Sequence, residues 1–349
     1  MLVKHQILRN KVLKIPLRGF NVLHEPKPYH LHATKMGLRL LVGSSHAQLA
    51  QSVSSRIDYP IGSGALRSTR FSNGETFVSI EASVRNADVF ILQTASTPVN
   101  DMVMELLITI NACKIASARR ITAVIPCFPY SRQDKKDRSR APITAKLLAN
   151  MLESAGCNHV ITMDLHASQI QGFFNIPVDK LYAEKTMIEY IRRRFTKQDL
   201  VIVSPDAGGT KRAAAIADRL QLDLAIIHKE RKVANQVSRM ILVGNVAGKN
   251  AILVDDIADT CGTLAMAAAT VKEHGANECS ALVTHGFLSG PSVRVIEESA
   301  LDRLIVSNTL PLPDDARSCA KIELMDISSV IAEAIRRTYN GESISMLFN

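Results

Sequence analysis

Residues 252–264 read Ile-Leu-Val-Asp-Asp-Ile-Ala-Asp-Thr-Cys-Gly-Thr-Leu, an apolar strand-like run (Ala251–Val254) that stops at two acids. The small-residue loop Asp259-Thr260-Cys261-Gly262-Thr263 then leads into a helix-like Leu264–His274. Backbone N–H groups, two threonine hydroxyls and a helix N-terminus in such a loop make a cradle for a phosphate. Asp255 and Asp256 repel a phosphate, so their task is another one: accepting hydrogen bonds from sugar hydroxyls, or holding a metal ion. A sugar phosphate satisfies both halves. The plainer alternative is a surface turn that uses Asp and Thr only as helix caps. It leaves three acids ahead of a Gly-Thr helix start without a reason.

Four further stretches share the design of an apolar run ending in polar residues. Arg132-Gln133-Asp134-Lys135-Lys136-Asp137-Arg138-Ser139-Arg140 follows Ile121–Ile125 and a Pro-Cys-Phe-Pro-Tyr turn, and its five positive charges in nine residues suit a polyphosphate. A solvated surface loop or a nucleic-acid patch is the competing reading. Thr162-Met163-Asp164-Leu165-His166-Ala167 places an acid and an imidazole two residues apart, on the same side of an extended segment. Both can touch a magnesium ion or its water shell, although Mg²⁺ prefers oxygen. In Val203-Ser204-Pro205-Asp206-Ala207-Gly208-Gly209, Asp206 offers a second magnesium ligand and the glycines permit close backbone approach. His228-Lys229-Glu230-Arg231-Lys232 opens a polar stretch. It reads either as a solvated loop or as a mobile one whose Lys229 and Arg231 close over transferring phosphates.

The elements that position these loops alternate. Strand candidates are Leu38–Val42, Val89–Gln93, Ile121–Ile125, Val160–Met163, Val201–Ser204, Leu224–Ile227, Ala251–Val254, Ala281–Thr284 and Leu304–Val306. Helix candidates include Asp101–Ala118, Pro142–Ala155, Lys185–Phe195, Lys211–Leu220, Leu264–His274 and Ile327–Arg337. Such alternation predicts an α/β protein with parallel sheets covered by helices. Nine strands divide better into two domains than one, with the joint near Asp179–Lys185. The expected organisation is an extension 1–36, α/β domains 37–182 and 183–342, and a tail 343–349 that packs back on the first domain.

Bulk properties exclude several classes. A chain of 349 residues, 46% of them hydrophobic, has ample core for two domains. Aromatic residues make up 5% with no Trp, a poor basis for base stacking. The six cysteines are widely spaced with no C-x-x-C pair, which fits neither a zinc framework nor a disulfide scaffold and points to a reducing compartment. No apolar run is long enough for a transmembrane helix. Of the net charge of +9, residues 1–36 carry +6 (seven Lys/Arg against Glu25), leaving +3 for the body. Neither a nucleic-acid nor a membrane partner is expected. The acid-poor extension reads as an organelle-targeting peptide, although it lacks Ser and carries Pro16, Pro26 and Pro28. The alternatives are a disordered extension or translation upstream of a start at Met36.

Taken together the motifs resemble the ribose-phosphate pyrophosphokinase (phosphoribosyl-pyrophosphate, PRPP, synthetase) family, from about Gly37 to Phe348. The stretches are Phe71-Ser72-Asn73-Gly74-Glu75, Met104–Ala118, Pro126–Pro142, Ile161–Pro177, Val203–Gly209, His228–Lys232, Val254–Gly262 and Asn340–Phe348. The resemblance implies two phosphoribosyltransferase-like α/β domains, each a mainly parallel sheet flanked by helices. It implies ATP and D-ribose 5-phosphate as substrates, AMP and PRPP as products, and Mg²⁺ as cofactor. Phe71, Asn73 and Glu75 would then reach adenine across a subunit interface, with Arg132, Gln133, Asp134, Lys135, Lys136 and Asp137 also on the ATP side. His166 and Asp206 would contact metal, with Asp164 and Asp179 in the family's cation signature. Lys229 and Arg231 would form the catalytic loop and act with His166. Asp255, Asp256, Asp259, Thr260, Cys261, Gly262 and Thr263 would bind ribose 5-phosphate. An inhibitory phosphate/ADP site would map to Ser83, Arg85, Arg140, Ser343 and Ser345. The family implies a homo-oligomer, a hexamer built from dimers, or a hetero-oligomer with related subunits. The expected location is cytoplasmic, or mitochondrial or plastid if residues 1–36 target the chain. Asn175 stands where the family's cation signature often has an acid, which removes a charge there. The competing readings are a one-domain phosphoribosyltransferase, a non-catalytic regulatory subunit of a synthetase complex, and a PRPP-sensing transcription regulator.

Overall fold

The computed structural model describes residues 37–59, 66–196, 199–230 and 239–348, so the basic extension 1–36 lies outside the described residues. The first half runs β1 (Leu38–Val42), α1 (Ala47–Arg56), a hairpin of β2 (Leu66–Arg70) and β3 (Thr76–Ile80), β4 (Asp88–Leu92), α2 (Val99–Ile115), β5 (Arg120–Ile125), α3 (Thr144–Ala155), β6 (His159–Met163) and β7 (Val178–Leu181). Its central strands are buried end to end, as they must be in a parallel sheet covered on both faces. The order β1-β4-β5-β6-β7 winds in one direction, with every pairing parallel.

The second half continues with α4 (Glu184–Arg194), β8 (Leu200–Ser204), α5 (Thr210–Leu220), β9 (Asp223–Glu230), β10 (Arg239–Val243), β11 (Asn250–Ala258), α6 (Gly262–Glu273) and β12 (Glu278–Gly286). It closes with α7 (Ser292–Glu298), β13 (Arg303–Ser307), α8 (Asp314–Ser318), β14 (Ile322–Met325) and α9 (Ser328–Asn340). The sheet order is β10-β9-β8-β11-β12-β13-β14, parallel except for the antiparallel β9–β10 edge. The direction of winding reverses between β8 and β11. That reversal opens a crevice at their carboxyl ends, where ligands bind in such sheets. The loops Ser204–Gly209 and Asp259–Thr263 stand at this crevice.

The two halves share one apolar cluster, in which Leu49 and Val53 of α1 join Met187 and Ile188 of α4 and Ile331 and Ile335 of α9. Arg56 ties α1 to the start of α9 through Asp326 at 2.8 Å and Ser328 Oγ at 2.7 Å. The tail packs Phe348 edge-on against Tyr182, with ring centroids 5.1 Å apart. The Phe348 carbonyl accepts from Arg219 of α5 at 3.1 Å, so the tail lies at the junction of the halves.

Several elements differ from the sequence expectation. β11 runs to Ala258, four residues past the expected stop at Val254, because its ladder with β12 continues to Ala258↔Gly286. Asp255 and Asp256 therefore stand on a strand and not in the loop. His228 and Lys229 likewise belong to β9, opposite Ile241 and Met240 of β10. Strands β2, β3, β7, β10 and β14 and helices α1, α7 and α8 were not among the candidates.

Candidate active site

The carboxyl edges of the two sheets face each other. From the first half come the segments after β4, β5 and β6; from the second, those after β8, β11, β12 and β13. His166, two residues beyond Asp164, points Nδ1 at Asp256 Oδ2 of β11 at 2.7 Å. Arg212, in the first turn of α5, faces the other oxygen of Asp256 at 3.7 Å. Arg132 reaches across from the basic loop to Asp259 Oδ2 at 2.8 Å, with its guanidinium 5.8 Å from the Phe287 ring centroid. The motifs after Ile125, Met163 and Val254, each recognised separately, thus form one site.

The charged groups brought together here perturb one another strongly. Burial lifts Asp255 well above the usual carboxylate range, and the charge of Asp256 adds to the shift. Burial acts on Asp256 in the same sense, but the His166 hydrogen bond and Arg212 outweigh it and hold its carboxyl low. His166 is raised chiefly by its hydrogen bond to Asp256. Since an acid with a raised pKa favours the fold only while protonated, its stabilising effect is complete below about 3.8. It is lost as pH rises through the raised value. Asp255→Asn keeps an oxygen for the Asp256 N–H, which Asp255 Oδ1 accepts at 2.9 Å, and removes the charge. Its melting midpoint at pH 8 without substrate should exceed the wild-type value by ~2–4 °C, the effect of about 1 kcal/mol in a domain of this size. An unchanged or lower midpoint would refute the assignment of Asp255 as the strained acid.

The Asp259–Thr263 loop is also local structure. Cys261 precedes α6 with a left-handed φ of 61° and gives the first turn no side-chain cap. Nothing lies within 4 Å of where a Gly262 side chain would begin. Thr260 is exposed and Thr263 half-buried at the same helix start. Buried Cys261 has its thiol pushed up to about 12, so it supplies no thiolate. Asp206 makes the neighbouring turn, Oδ1 accepting from Gly208 N–H at 2.9 Å and Gly209 N–H at 3.1 Å.

Other expected residues are placed differently. Asp164 has a left-handed φ of 37°, and its Oδ2 accepts from Ala183 N–H at 3.2 Å and Thr284 Oγ1–H at 2.7 Å. It braces the seam between the halves and does not offer that oxygen to a cation. Asp179 lies on β7 beside the amino end of β6, where its Oδ2 meets His159 Nε2 at 2.8 Å. Its backbone pairs with Ile161, the middle residue of β6. Asn175 is bonded to Glu153 through both its backbone and side-chain nitrogens.

Phe71, Asn73 and Glu75 form the exposed tip of the β2–β3 hairpin, and Phe71 packs edge-on with Phe77. In the basic loop, Asp134 is buried and accepts from Gln169 at 2.9 Å. Gln133 accepts from the Thr144 hydroxyl at 2.5 Å, while Lys135, Lys136 and Asp137 are exposed. Lys229 stands on the β9 backbone, and Arg231 lies outside the described residues. Among the described residues no hydrogen bond or ion pair joins Ser83, Arg85 or Arg140 to Ser343 or Ser345, although the two C-terminal hydroxyls are 2.7 Å apart.

Sequence reading missed Arg212, Thr284 and His285. Arg212 follows Gly208-Gly209-Thr210-Lys211, a basic pair directly behind a glycine turn. Thr284-His285-Gly286 ends an apolar strand with polar residues and a glycine, the same signature that exposed the other loops.

Two α/β sheets set carboxyl edge to carboxyl edge, with a small-residue helix start on one side and a basic loop on the other, have the layout of a two-domain phosphate-handling enzyme. Residues 38–156 match the N-terminal domain of ribose phosphate pyrophosphokinase, and residues 232–349 the phosphoribosyl synthetase-associated domain. Ribose-phosphate pyrophosphokinase 2 of Schizosaccharomyces pombe is 62% identical over 314 residues, spanning 89% of this chain and 97% of that one. The crystal structure of phosphoribosylpyrophosphate synthetase from Mycobacterium smegmatis superposes with a TM-score of 0.83 at 40% identity, covering 88% of this chain and all of that one. The chain belongs to the ribose-phosphate pyrophosphokinase family. Among the described residues no helix is long and apolar enough to cross a membrane.

Proposed function

We propose that this chain transfers the β,γ-diphosphoryl group of ATP to the anomeric hydroxyl of D-ribose 5-phosphate, giving PRPP and AMP for nucleotide biosynthesis. The observation that supports this most is the meeting of two separately built subsites across one seam, Arg132 on Asp259 and His166 on Asp256. The cradle at Asp259–Thr263 takes the 5-phosphate, and the oxygens of the Asp255 and Asp256 side chains accept from the ring hydroxyls. The basic loop, with Arg132, Lys135 and Lys136, receives the nucleotide phosphates. Arg132 can exchange its half-exposed partner Asp259 for phosphate at little cost, since exposed ion pairs are worth ~0–1 kcal/mol.

In the reaction the anomeric oxygen forms a bond to the β-phosphorus as the bond from that phosphorus to the α,β-bridging oxygen breaks. Two polyanions must approach, and at an effective dielectric near 20 each pair of unit charges ~4 Å apart repels by ~4 kcal/mol. Lys229, Arg231 and Arg132 act by neutralising and orienting these phosphates, and no side chain forms a covalent intermediate. Among the described residues no three of His, Cys, Asp and Glu gather as a metal cluster. The residues present suit Mg²⁺, which binds through one or two protein ligands with phosphate oxygens and water completing its shell. His166 has Nδ1 engaged by Asp256, which orients Nε2 in the manner of a metal-binding imidazole, and Asp206 offers a carboxylate. Bound there, Mg²⁺ supplies charge neutralisation on the triphosphate.

The exposed Phe71–Glu75 tip reaches adenine from a second copy of the chain, and Ser83, Arg85, Arg140, Ser343 and Ser345 form an inhibitory anion site where the C-terminal segment packs back on the first domain. The test is AMP formation from ATP by the purified chain. AMP should appear only when ribose 5-phosphate and Mg²⁺ are both present, with PRPP formed in equal amount. ATP consumption indifferent to ribose 5-phosphate, or no turnover at all, would reject the assignment.

A further inference from the structure

Thr284 and His285 are fully buried polar residues at the carboxyl end of β12, where the β12–β13 ladder has already ended at Val283↔Val306. Both reach the same residue of the opposite half. Thr284 Oγ1–H donates to Asp164 Oδ2 at 2.7 Å, and His285 Nε2 lies 3.3 Å from the Asp164 carbonyl. A carbonyl only accepts, so the imidazole proton sits on Nε2 and Nδ1 is left as an acceptor. The Thr309 hydroxyl stands 3.0 Å from that Nδ1. An acceptor Nδ1 needs a donor, and this hydroxyl fills that need; the Thr284 carbonyl, 3.0 Å from the same hydroxyl, has Ser307 as a donor at 2.6 Å. Burial pushes the His285 pKa down, the direction this arrangement requires. The Thr309 carbonyl in turn accepts from Thr94 of the first half at 2.8 Å, closing a polar path that crosses the seam twice.

Asp164, held in this way, carries the left-handed φ of 37°. A non-glycine residue keeps such a conformation only where its surroundings enforce it. Two residues on, His166 leaves this bend and meets Asp256. We propose that Thr284 and His285 are positioning residues for the first half of the site, fixing the Asp164 bend across the seam so that His166 faces Asp256. The inference rests on the proposed role of His166.

The test compares kcat for full-length His285→Phe and Thr284→Val with that for His285→Gln and Thr284→Ser, each alone and combined with His166→Ala. Gln retains an Nε2 donor and Ser the hydroxyl, whereas Phe and Val keep only the shape. His285→Phe and Thr284→Val should lower kcat by about 10- to 100-fold with melting midpoints close to wild type, a misplacement of ~1 Å being enough for such a loss. The Gln and Ser variants should stay within about threefold of wild type. On the His166→Ala background, His285→Phe should cost no more than about another twofold, because its route is already cut. Multiplicative losses on that background, full activity in both apolar variants, or failure of both to fold would overturn the proposal. A wild-type chain that forms no AMP would sink the reading of the site itself. In that case a crystal structure of His285→Phe decides: His166 turned away from Asp256 supports positioning, and an intact 2.7 Å contact overturns it.

Discussion

Lys229→Ala is expected to lower kcat by on the order of 10²–10³ while ATP affinity stays within a few-fold of wild type. Strand β9 pairs with β8 as far as Ser204↔Ile226, so Lys229 stands three residues beyond the last pair. At ~3.3 Å per residue this carries it about 10 Å past the end of the β8–β9 ladder, on an arm formed with β10. Cations delivered by such an arm interact best with negative charge spread over the transferring phosphates. Interactions made mainly in the transition state lower kcat when removed and leave ground-state binding almost unchanged. Arg231→Ala should behave alike, and the double variant should lose less than the product of the two, because the cations act as one unit. Steady-state kinetics with ATP and ribose 5-phosphate varied separately provide the check. Variants with normal kcat and only a raised ATP KM would make this a binding arm, and the transition-state role would fall.

The arm also marks where sequence and structure part. The Leu224–Ile227 run was legible because it is apolar and buried; His228–Glu230 was read as loop because charge ended the run. The same happened at Asp255–Ala258. At the carboxyl edge of a parallel sheet the strand continues while its side chains stop facing core, so hydropathy marks the end of the core and not the end of the ladder. The hairpin β2–β3 escaped notice for a related reason. Its residues, Leu-Arg-Ser-Thr-Arg and Thr-Phe-Val-Ser-Ile, are at best half-buried along their whole length and lack an apolar stripe. The four-residue edges Val-Asp-Lys-Leu and Ile-Glu-Leu-Met carry charges within the strand and were equally silent.

The site was legible one half at a time. Each loop announced itself by a polar cluster after an apolar run, which is a local signal. What no local signal carries is the docking of the two sheets, since His166 and Asp256 are separated by 90 positions and Thr284 and Asp164 by 120. That docking redirected Asp164 from cation to seam and brought in Arg212, Thr284 and His285. Asp179 pairs with Ile161 in the middle of β6 and its Oδ2 meets His159, a contact between neighbouring strands that no local signal announces.

Asp256→Ala should raise the KM for ribose 5-phosphate by about 5- to 150-fold, as 1–3 kcal/mol for an unsatisfied buried hydrogen bond would give, and alter that for ATP only a few-fold. Asp256 is buried on β11 between His166 and Arg212, so its removal also releases both side chains, and kcat should fall with it. The isosteric Asp256→Asn separates the two effects, since the amide oxygen still accepts from His166 while the charge is gone. In the wild type the hydrogen bond and charge of Asp256 raise the His166 pKa. The neutral imidazole, the form able to ligate a metal, therefore appears only above that raised value, and activity declines as pH falls through it. With Asn the pKa returns toward its ordinary 6.5, so the acidic limb of the kcat/KM profile should move to lower pH. A profile measured from pH 5.5 to 9 at saturating Mg²⁺ reads the displacement directly. A limb that stays in place would assign it to a group other than His166. A limb that moves upward would contradict the sign of the Asp256–His166 coupling.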